Sequence, residues 1–322
     1  MSSQQHSNCR YNPTVFPVKE FDAAADAKTL YKAMKGWGTD EDAIINILCC
    51  RSILQRLEIA EVYKTKYGKN LLKELKNELS GYLVNVMSAL MNPLPYLYAR
   101  DLHDASEGLG SDEETIIEIL CTSNYGIRNI CALYENLYGK RIEFNLKNDT
   151  LGHFKRLCES LCKANRDENQ DVDEAAARAD AAALADIEDG KWETENYIFN
   201  TILLTRSFQQ LQKIFTEYKD IKGEDIEETV KKAFSGSVQK GVLAIVKCVK
   251  SKVGFMAERL YYSMKSLGTS DKTLIRIVVS RSEIDLGDIK QAFLDKYGDS
   301  LEDWIADDTS GDYKKALLTI VE

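Results

Sequence analysis

Apolar residues along this chain of 322 recur at helical spacing rather than in strand-like alternation. Ile44, Ile45, Ile47 and Leu48 form one cluster, Leu71, Leu72 and Leu75 a second, and Leu83, Val84, Val86, Met87 and Leu90 a third. No convincing period-two run occurs, so no sheet is expected. Thr39 with Asp42, and Ser111 with Glu114, resemble helix N-caps with an acid three residues on. Tyr67-Gly68 and Tyr138-Gly139 look like helix ends, where glycine takes the left-handed position just past the last turn. Only 4 prolines occur, two of them before residue 20, which biases the chain further toward helix.

The pattern is written four times. A glycine-rich signature reads Lys35-Gly36-Trp37-Gly38-Thr39-Asp40, then Glu107-Gly108-Leu109-Gly110-Ser111-Asp112, Lys191-Trp192-Glu193-Thr194-Glu195, and Lys265-Ser266-Leu267-Gly268-Thr269-Ser270. An apolar run follows each, closing on Arg51-Ser52, Thr122-Ser123, Arg206-Ser207 and Arg281-Ser282. Glycine stops come next at Gly68, Gly139, Gly223 and Gly298, and the last signature ends in Gly81, Gly152, Gly236 and Gly311. Arg51 to Gly68, Arg206 to Gly223 and Arg281 to Gly298 each span 17 positions, while the second copy has lost one residue just before Ser123. Such self-similarity at a fixed period marks a repeat architecture. The expected fold is all-α, with about five helices per unit. The units run over residues 21–92, 93–164, 176–251 and 252–322, after a tail of 1–20 and with a charged, solvated linker at 165–175. Asn92-Pro93-Leu94-Pro95 joins the first two units tightly. Arg51, Arg206 and Arg281 are expected to cap helix ends within their repeats.

These residues resemble the annexin family over about 300 positions, all except the tail. Lys35-Gly36-Trp37-Gly38-Thr39-Asp40-Glu41 is similar to the family's endonexin motif, and Thr273–Leu286 and Asp308–Leu317 are similar to its fourth repeat. The resemblance implies a slightly curved disc of four five-helix repeats that carries calcium loops on its convex face.

Calcium takes six to eight hard oxygen ligands in a flexible shell. A Gly-X-Gly loop can turn several carbonyls toward one point, and a single carboxylate from elsewhere then adds charge. In the family that acid lies about 40 residues downstream; here Gly38 to Glu78 is 40, Gly110 to Asp149 is 39 and Gly268 to Asp308 is 40. The resemblance therefore implies three ligand sets: Met34, Gly36 and Gly38 with Glu78; Ser106, Gly108 and Gly110 with Asp149; and Met264, Ser266 and Gly268 with Asp308. Ser266 replaces a family glycine and should weaken its loop. The third repeat carries Glu193 in place of glycine and Ala233 at the acid's position, so no good site of this type is expected there. Weaker accessory ions could involve Thr39, Glu41, Glu113 and Asp271, or Glu193 and Glu195. Trp37, Leu109, Trp192 and Leu267 fall at the loop tips, where the interfacial zone of a membrane favours such side chains.

Charge makes the ion matter. The formal net charge of −9 should repel both nucleic acid and anionic lipid. The partner implied by the resemblance is an acidic phospholipid membrane, reached peripherally through Ca2+, with room for self-association once there. No nucleic-acid partner is expected. No apolar run of about 18 residues occurs, and the N-terminus lacks an apolar signal core, so a cytoplasmic protein is expected. Eight cysteines fit a reducing compartment. Cys49, Cys50, Cys121 and Cys248 sit in apolar runs and read as core; Cys158 and Cys162 share a helix face but have no zinc-type partner pair. His6, His103 and His153 are scattered, and neither GxSxG nor HExxH occurs, so no enzyme is expected. Two other readings remain at this stage. One is a calcium-conducting protein, since Asp101 and Arg276 fall near positions that line a hydrophilic centre in relatives. The other is a helical scaffold that has lost calcium, against which three intact signatures argue.

Overall fold

The computed structural model describes residues 11–36, 38–107, 112–122, 126–146, 153–163, 165–187, 197–265 and 268–322. Among them every regular element is a helix, and each repeat contributes five. The first holds α1 (Ala23–Ala33), α2 (Glu41–Leu48), α3 (Ile53–Tyr67), α4 (Leu71–Glu78) and α5 (Gly81–Leu90). The second holds α6 (Leu94–Glu107), α7 (Glu113–Thr122), α8 (Ile127–Tyr138), α9 (Ile142–Asn145) and α10 (His153–Cys162). The third runs through α11 (Glu174–Ala185), α12 (Tyr197–Thr205), α13 (Phe208–Lys222), α14 (Ile226–Ala233) and α15 (Gly236–Lys250). The fourth comprises α16 (Lys252–Lys265), α17 (Asp271–Ser282), α18 (Leu286–Tyr297), α19 (Leu301–Asp308) and α20 (Gly311–Val321). Helix α11 begins inside the segment read as linker, because Asp173 caps it by accepting from the Ala176 amide.

Helix ends follow local chemistry. Ser52 and Gln55 form a reciprocal capping box at the start of α3. Gly68, Gly139, Gly223 and Gly298 all close the third helix of their repeat in the left-handed conformation, with φ of 67°, 69°, 76° and 84°. The N-caps of α2 and α7 are shifted by one residue from the sequence expectation. Asp40 accepts from the Ala43 amide at 3.0 Å and Asp112 from the Thr115 amide at 3.1 Å. Thr39 is released for another contact, described below.

The helices fall into two compact units. One comprises residues up to Leu94 together with Met256–Glu322, and the other runs from Pro95 to Phe255. In the first unit α5 packs on α17 and α20, and α2 also meets α20. The contacts seal a core in which Leu30, Ile44, Ile45, Leu48, Ile59, Leu75, Ile277, Phe293 and Ile320 have at most 1% exposure. Residues 12–18 run along this unit: the Thr14 and Val15 amides donate to the Ser282 carbonyl, and the Val18 amide to Gln55 Oε1. In the second unit α7 lies against α15 and α11 against α13.

Two arginines answer for the carbonyls that helices leave unpaired at their C-termini. Arg56 is 2% exposed; its Nε donates to the Leu48 carbonyl and its Nη1 to the Leu90 carbonyl, both at 2.8 Å. These are the last residues of α2 and α5. Its Nη2 lies 3.3 Å from Glu283, whose carboxyl is raised in pKa by burial. Arg166 does the same for α12, donating to the carbonyls of Arg206 and Leu203 at 2.7 and 3.0 Å. The role expected of Arg51, Arg206 and Arg281 therefore belongs elsewhere. Arg51 reaches the Cys50 carbonyl only at 3.5 Å and is instead forked onto Asp26 at 2.8 and 3.1 Å. Arg206 is forked onto Asp180 at 2.7 and 3.2 Å, and Arg281 pairs with Asp285 at 2.7 Å. They tie the second helix to the first, or to the next loop, rather than closing a helix end.

Cys49, Cys121, Cys158 and Cys248 are buried free thiols, and Cys50 is half-buried. Burial raises Cys49 and Cys248 well above the ordinary thiol range and Cys121 to about 12, which suits core packing.

Arg56→Ala should cost about 3–5 kcal/mol, because it strands two helix-end carbonyls and a half-buried carboxylate together. Urea unfolding would measure it, with Arg51→Ala, whose own side chain is more accessible to water than that of Arg56, losing less.

Candidate calcium loops

The loop between the first and second helices is closed the same way in three repeats. The Asp40 amide donates to the Ala33 carbonyl at 2.9 Å, the Asp112 amide to Ala105 at 2.8 Å and the Ser270 amide to Ser263 at 2.7 Å. Each bond spans seven residues and brackets the glycine-rich signature. The residue that opens each loop is anchored by a buried side chain: Met34 at 8% exposure, Ser106 at 2% and Met264 at 4%.

Inside loop one, Gly36 and Gly38 take φ of 121° and 84°. These are values an L side chain rarely adopts, and a Cβ at either would meet nothing within 4 Å, so the backbone alone requires glycine. Gly268 in loop four has φ 97° and equally open surroundings. Gly108, Leu109, Gly110, Asp149, Ser266, Trp37, Leu267, Trp192, Glu193 and Glu195 lie outside the described residues.

The acids arrive from the end of the fourth helix. Glu78 is the last residue of α4 and Asp308 the last of α19, each followed by an extended residue that leads into the fifth helix. The Thr39 hydroxyl donates to Glu78 Oε2 at 3.3 Å, and the Thr269 hydroxyl to Asp308 Oδ2 at 2.6 Å. Segments about 40 residues apart are thereby brought together twice, each time through a threonine hydroxyl and a carboxylate. Thr39, predicted as an N-cap, spends its hydroxyl here, which is why Asp40 takes over the cap. Glu78 is exposed and Asp308 half-buried. Ala233 ends α14 at the equivalent place, so the third repeat presents a methyl group where the first and fourth present a carboxylate.

The accessory acids share a position but differ in neighbours. Glu41, Glu113 and Asp271 are the first residues of α2, α7 and α17. Glu113 accepts from the Ser237 hydroxyl. Asp271 lies beside the Tyr82 and Tyr313 hydroxyls, and its charge raises the pKa of Tyr82. Among the described residues, no three His, Cys, Asp or Glu side chains converge as a metal cluster. At loops one and four the residues brought together offer hard oxygens, backbone carbonyls and one carboxylate each, and no sulfur ligand, a set that would suit calcium rather than a thiophilic ion.

The fold and these loops define a class of helical repeat protein in which, in the first and fourth repeats, a glycine-rich loop is met by one acid from the end of the fourth helix. A family model described as Annexin matches residues 25–90, 98–161, 179–245 and 255–320. Annexin A7 of Homo sapiens is 46% identical over 309 residues, covering 96% of this chain and 63% of the relative. The chain thus spans less than two thirds of the length of that curated relative. Among solved structures, annexin III superposes with a TM-score of 0.93 at 40% identity, with 97% of each chain covered. A calcium-bound annexin (Sm)1 superposes with a TM-score of 0.86 at 32% identity, covering 97% of this chain and 93% of its own. The chain belongs to the annexin family, whose members are known as calcium-dependent phospholipid-binding proteins.

Gly38→Ala should destabilise the protein by roughly 1–2 kcal/mol through backbone strain alone. Urea unfolding in chelator would read this, and an unchanged midpoint would show that the loop relaxes without its left-handed residue.

Proposed function

We propose that this protein binds acidic phospholipid membranes peripherally when calcium rises, and that loops one, two and four carry the ions. The observation that carries this reading is the twofold meeting of a left-handed glycine loop with a carboxylate from the fourth helix, Thr39 with Glu78 and Thr269 with Asp308. In loop one the carbonyls of Met34, Gly36 and Gly38 and the Glu78 carboxylate hold the ion. Ser106, Gly108, Gly110 and Asp149 do so in loop two, and Met264, Ser266, Gly268 and Asp308 in loop four. Bound calcium supplies the positive charge that lets a chain of net charge −9 meet an anionic surface.

Three carbonyls and a two-oxygen acid leave the shell short of six to eight ligands, so water or lipid phosphate oxygen fills the rest. One carboxylate per loop implies weak affinity without lipid, on the order of 10⁻⁴ M or weaker. Lipid and calcium then raise each other's affinity by the same factor. Thr39 and Thr269 hold the acids toward the loops before an ion arrives. Trp37, Leu109, Trp192 and Leu267 enter the headgroup zone at the loop tips. The third repeat contributes least, since Ala233 offers no oxygen from its side chain. The protein acts by binding rather than by catalysis, at the cytoplasmic face of membranes. Among the described residues no helix is long and apolar enough to cross a membrane, so the ion-conducting reading has no observation of its own.

Phosphatidylserine vesicles should pellet the protein in calcium and release it in chelator; equal pelleting in both would falsify the reading. Glu78→Gln and Asp308→Asn should each raise the calcium needed for half-maximal pelleting, and the pair together should raise it further. If none of these variants moves the calcium curve, the ligand assignment is wrong.

A further inference from the structure

Beneath three of the four loops lies a feature that the ligand sets do not use. Tyr31, in the last turn of α1, stacks on Tyr67, the last residue of α3, with ring centroids 3.9 Å apart and planes within 3°. His103 of α6 stacks on Tyr138 of α8 at 3.6 Å and 8°, and Tyr261 of α16 on Tyr297 of α18 at 3.8 Å and 1°. In each case the first ring sits five residues before the loop position occupied by Gly36, Gly108 or Ser266. The second ring immediately precedes the glycine that closes the third helix.

The side chain that enters the loop also engages the first ring. Lys35 Nζ lies 5.5 Å from the Tyr31 centroid, and Lys265 Nζ 4.9 Å from that of Tyr261. In the second repeat the same position is Glu107, which lies 3.4 Å from His103 Nε2. The attraction changes from cation–π to an acid–imidazole contact, but the tie is kept.

The third repeat is the natural control. There the residue before Gly223 is Lys222, and its Nζ reaches the Ala185 carbonyl at 3.4 Å; no ring pair forms at this place. This is also the repeat with Ala233 in place of the acid. It folds into the same five helices nonetheless. A deeper ring, Tyr63, Tyr134, Tyr218 or Phe293, fills the core in all four repeats at no more than 1% exposure. The outer pair is thus not required for the fold, and it is present where the acid is.

We propose that the stacked ring pair is a positioning device for the calcium loop, fastening the last turn of the first helix to the last turn of the third so that the loop is held in shape before an ion arrives. The inference rests on the calcium reading above. Tyr31 and Tyr67 are not among the proposed ligands; they act through the helix end from which Met34 and Gly36 follow. Two rings in close parallel contact fix the relative orientation of the helices that carry them, which suits a part that must set an angle.

The test is hydrogen exchange without calcium at the Asp40 amide, whose bond to Ala33 closes the loop, combined with calcium titration of phosphatidylserine vesicle pelleting. Tyr67→Leu should speed exchange at Asp40 and raise the calcium midpoint, each by roughly 3- to 10-fold, while core amides of α3 and α17 stay protected. Tyr31→Phe, which keeps the ring and loses the hydroxyl, should stay near wild type in both. Should Tyr67→Leu fail to fold, Tyr31→Leu makes the same test from the other ring. Unchanged exchange at Asp40 overturns the proposal, as does faster exchange with an unmoved calcium midpoint, or a Tyr31→Phe as impaired as the leucine variants. If wild-type protein pellets without calcium, it is the membrane reading that fails, and exchange at Asp40 still decides whether the rings hold the loop.

Discussion

A carboxylate has to reach a loop that left the ribosome about 40 residues before it, and the five-helix unit is the means by which it does. The first and third helices pack together, the fourth turns back, and its last residue comes within hydrogen-bond reach of the threonine that follows the loop glycines. Nothing local could make that contact. It depends on a buried apolar core and on helices that stop at the right residue. The left-handed glycines that close α3 and α18 set where the fourth helices start, and hence where Glu78 and Asp308 end them.

That arrangement separates two tasks. Scaffold electrostatics are handled by forked or buried arginines: Arg56 on two helix ends, Arg51 on Asp26, Arg206 on Asp180, Arg281 on Asp285. The loop acids, by contrast, are met by neutral hydroxyls. An acid already neutralised by arginine would have little to offer a cation. A threonine orients the carboxylate and leaves its charge available. The third repeat shows what remains when the acid is lost: the helices, their caps and the forked arginine persist, while Ala233 and Lys222 occupy the places of acid and ring.

Much of this was legible in the sequence because it is periodic. Four copies of one spacing announced the repeat, and the glycine stops fell where left-handed ends occur. What could not be read was any choice between adjacent candidates that only tertiary packing decides. Thr39 and Asp40 can both cap a helix; the structure gives the cap to Asp40 because Glu78, remote in sequence, claims Thr39. Arg51 and Arg56 both follow the end of α2, and it is burial between α2 and α5 that makes Arg56 the one to close them. The ring pairs escaped notice for a related reason. Tyr31 and Tyr67 each look like an ordinary amphipathic helix residue, and only their faces, once packed, show that they belong together. A hint was present all the same: a tyrosine precedes the stop glycine in repeats one, two and four, and a lysine in repeat three.

The first and fourth repeats share one compact unit although residues 95–255 lie between them. This has a cost in time. The faces of α5 and α2 that α17 and α20 cover must wait for those helices to be synthesised, at about 5–20 residues per second, which makes the interval roughly 10–30 s. For that interval those faces of α5 and α2 are without their final cover, and it is then that the nascent chain is most exposed to wrong partners. Residues 12–18 have to wait as long, because the carbonyls of Ser282 and Ile320 that secure Thr14 follow it by 268 and 306 residues. Folding of this half is therefore paced by translation of the other.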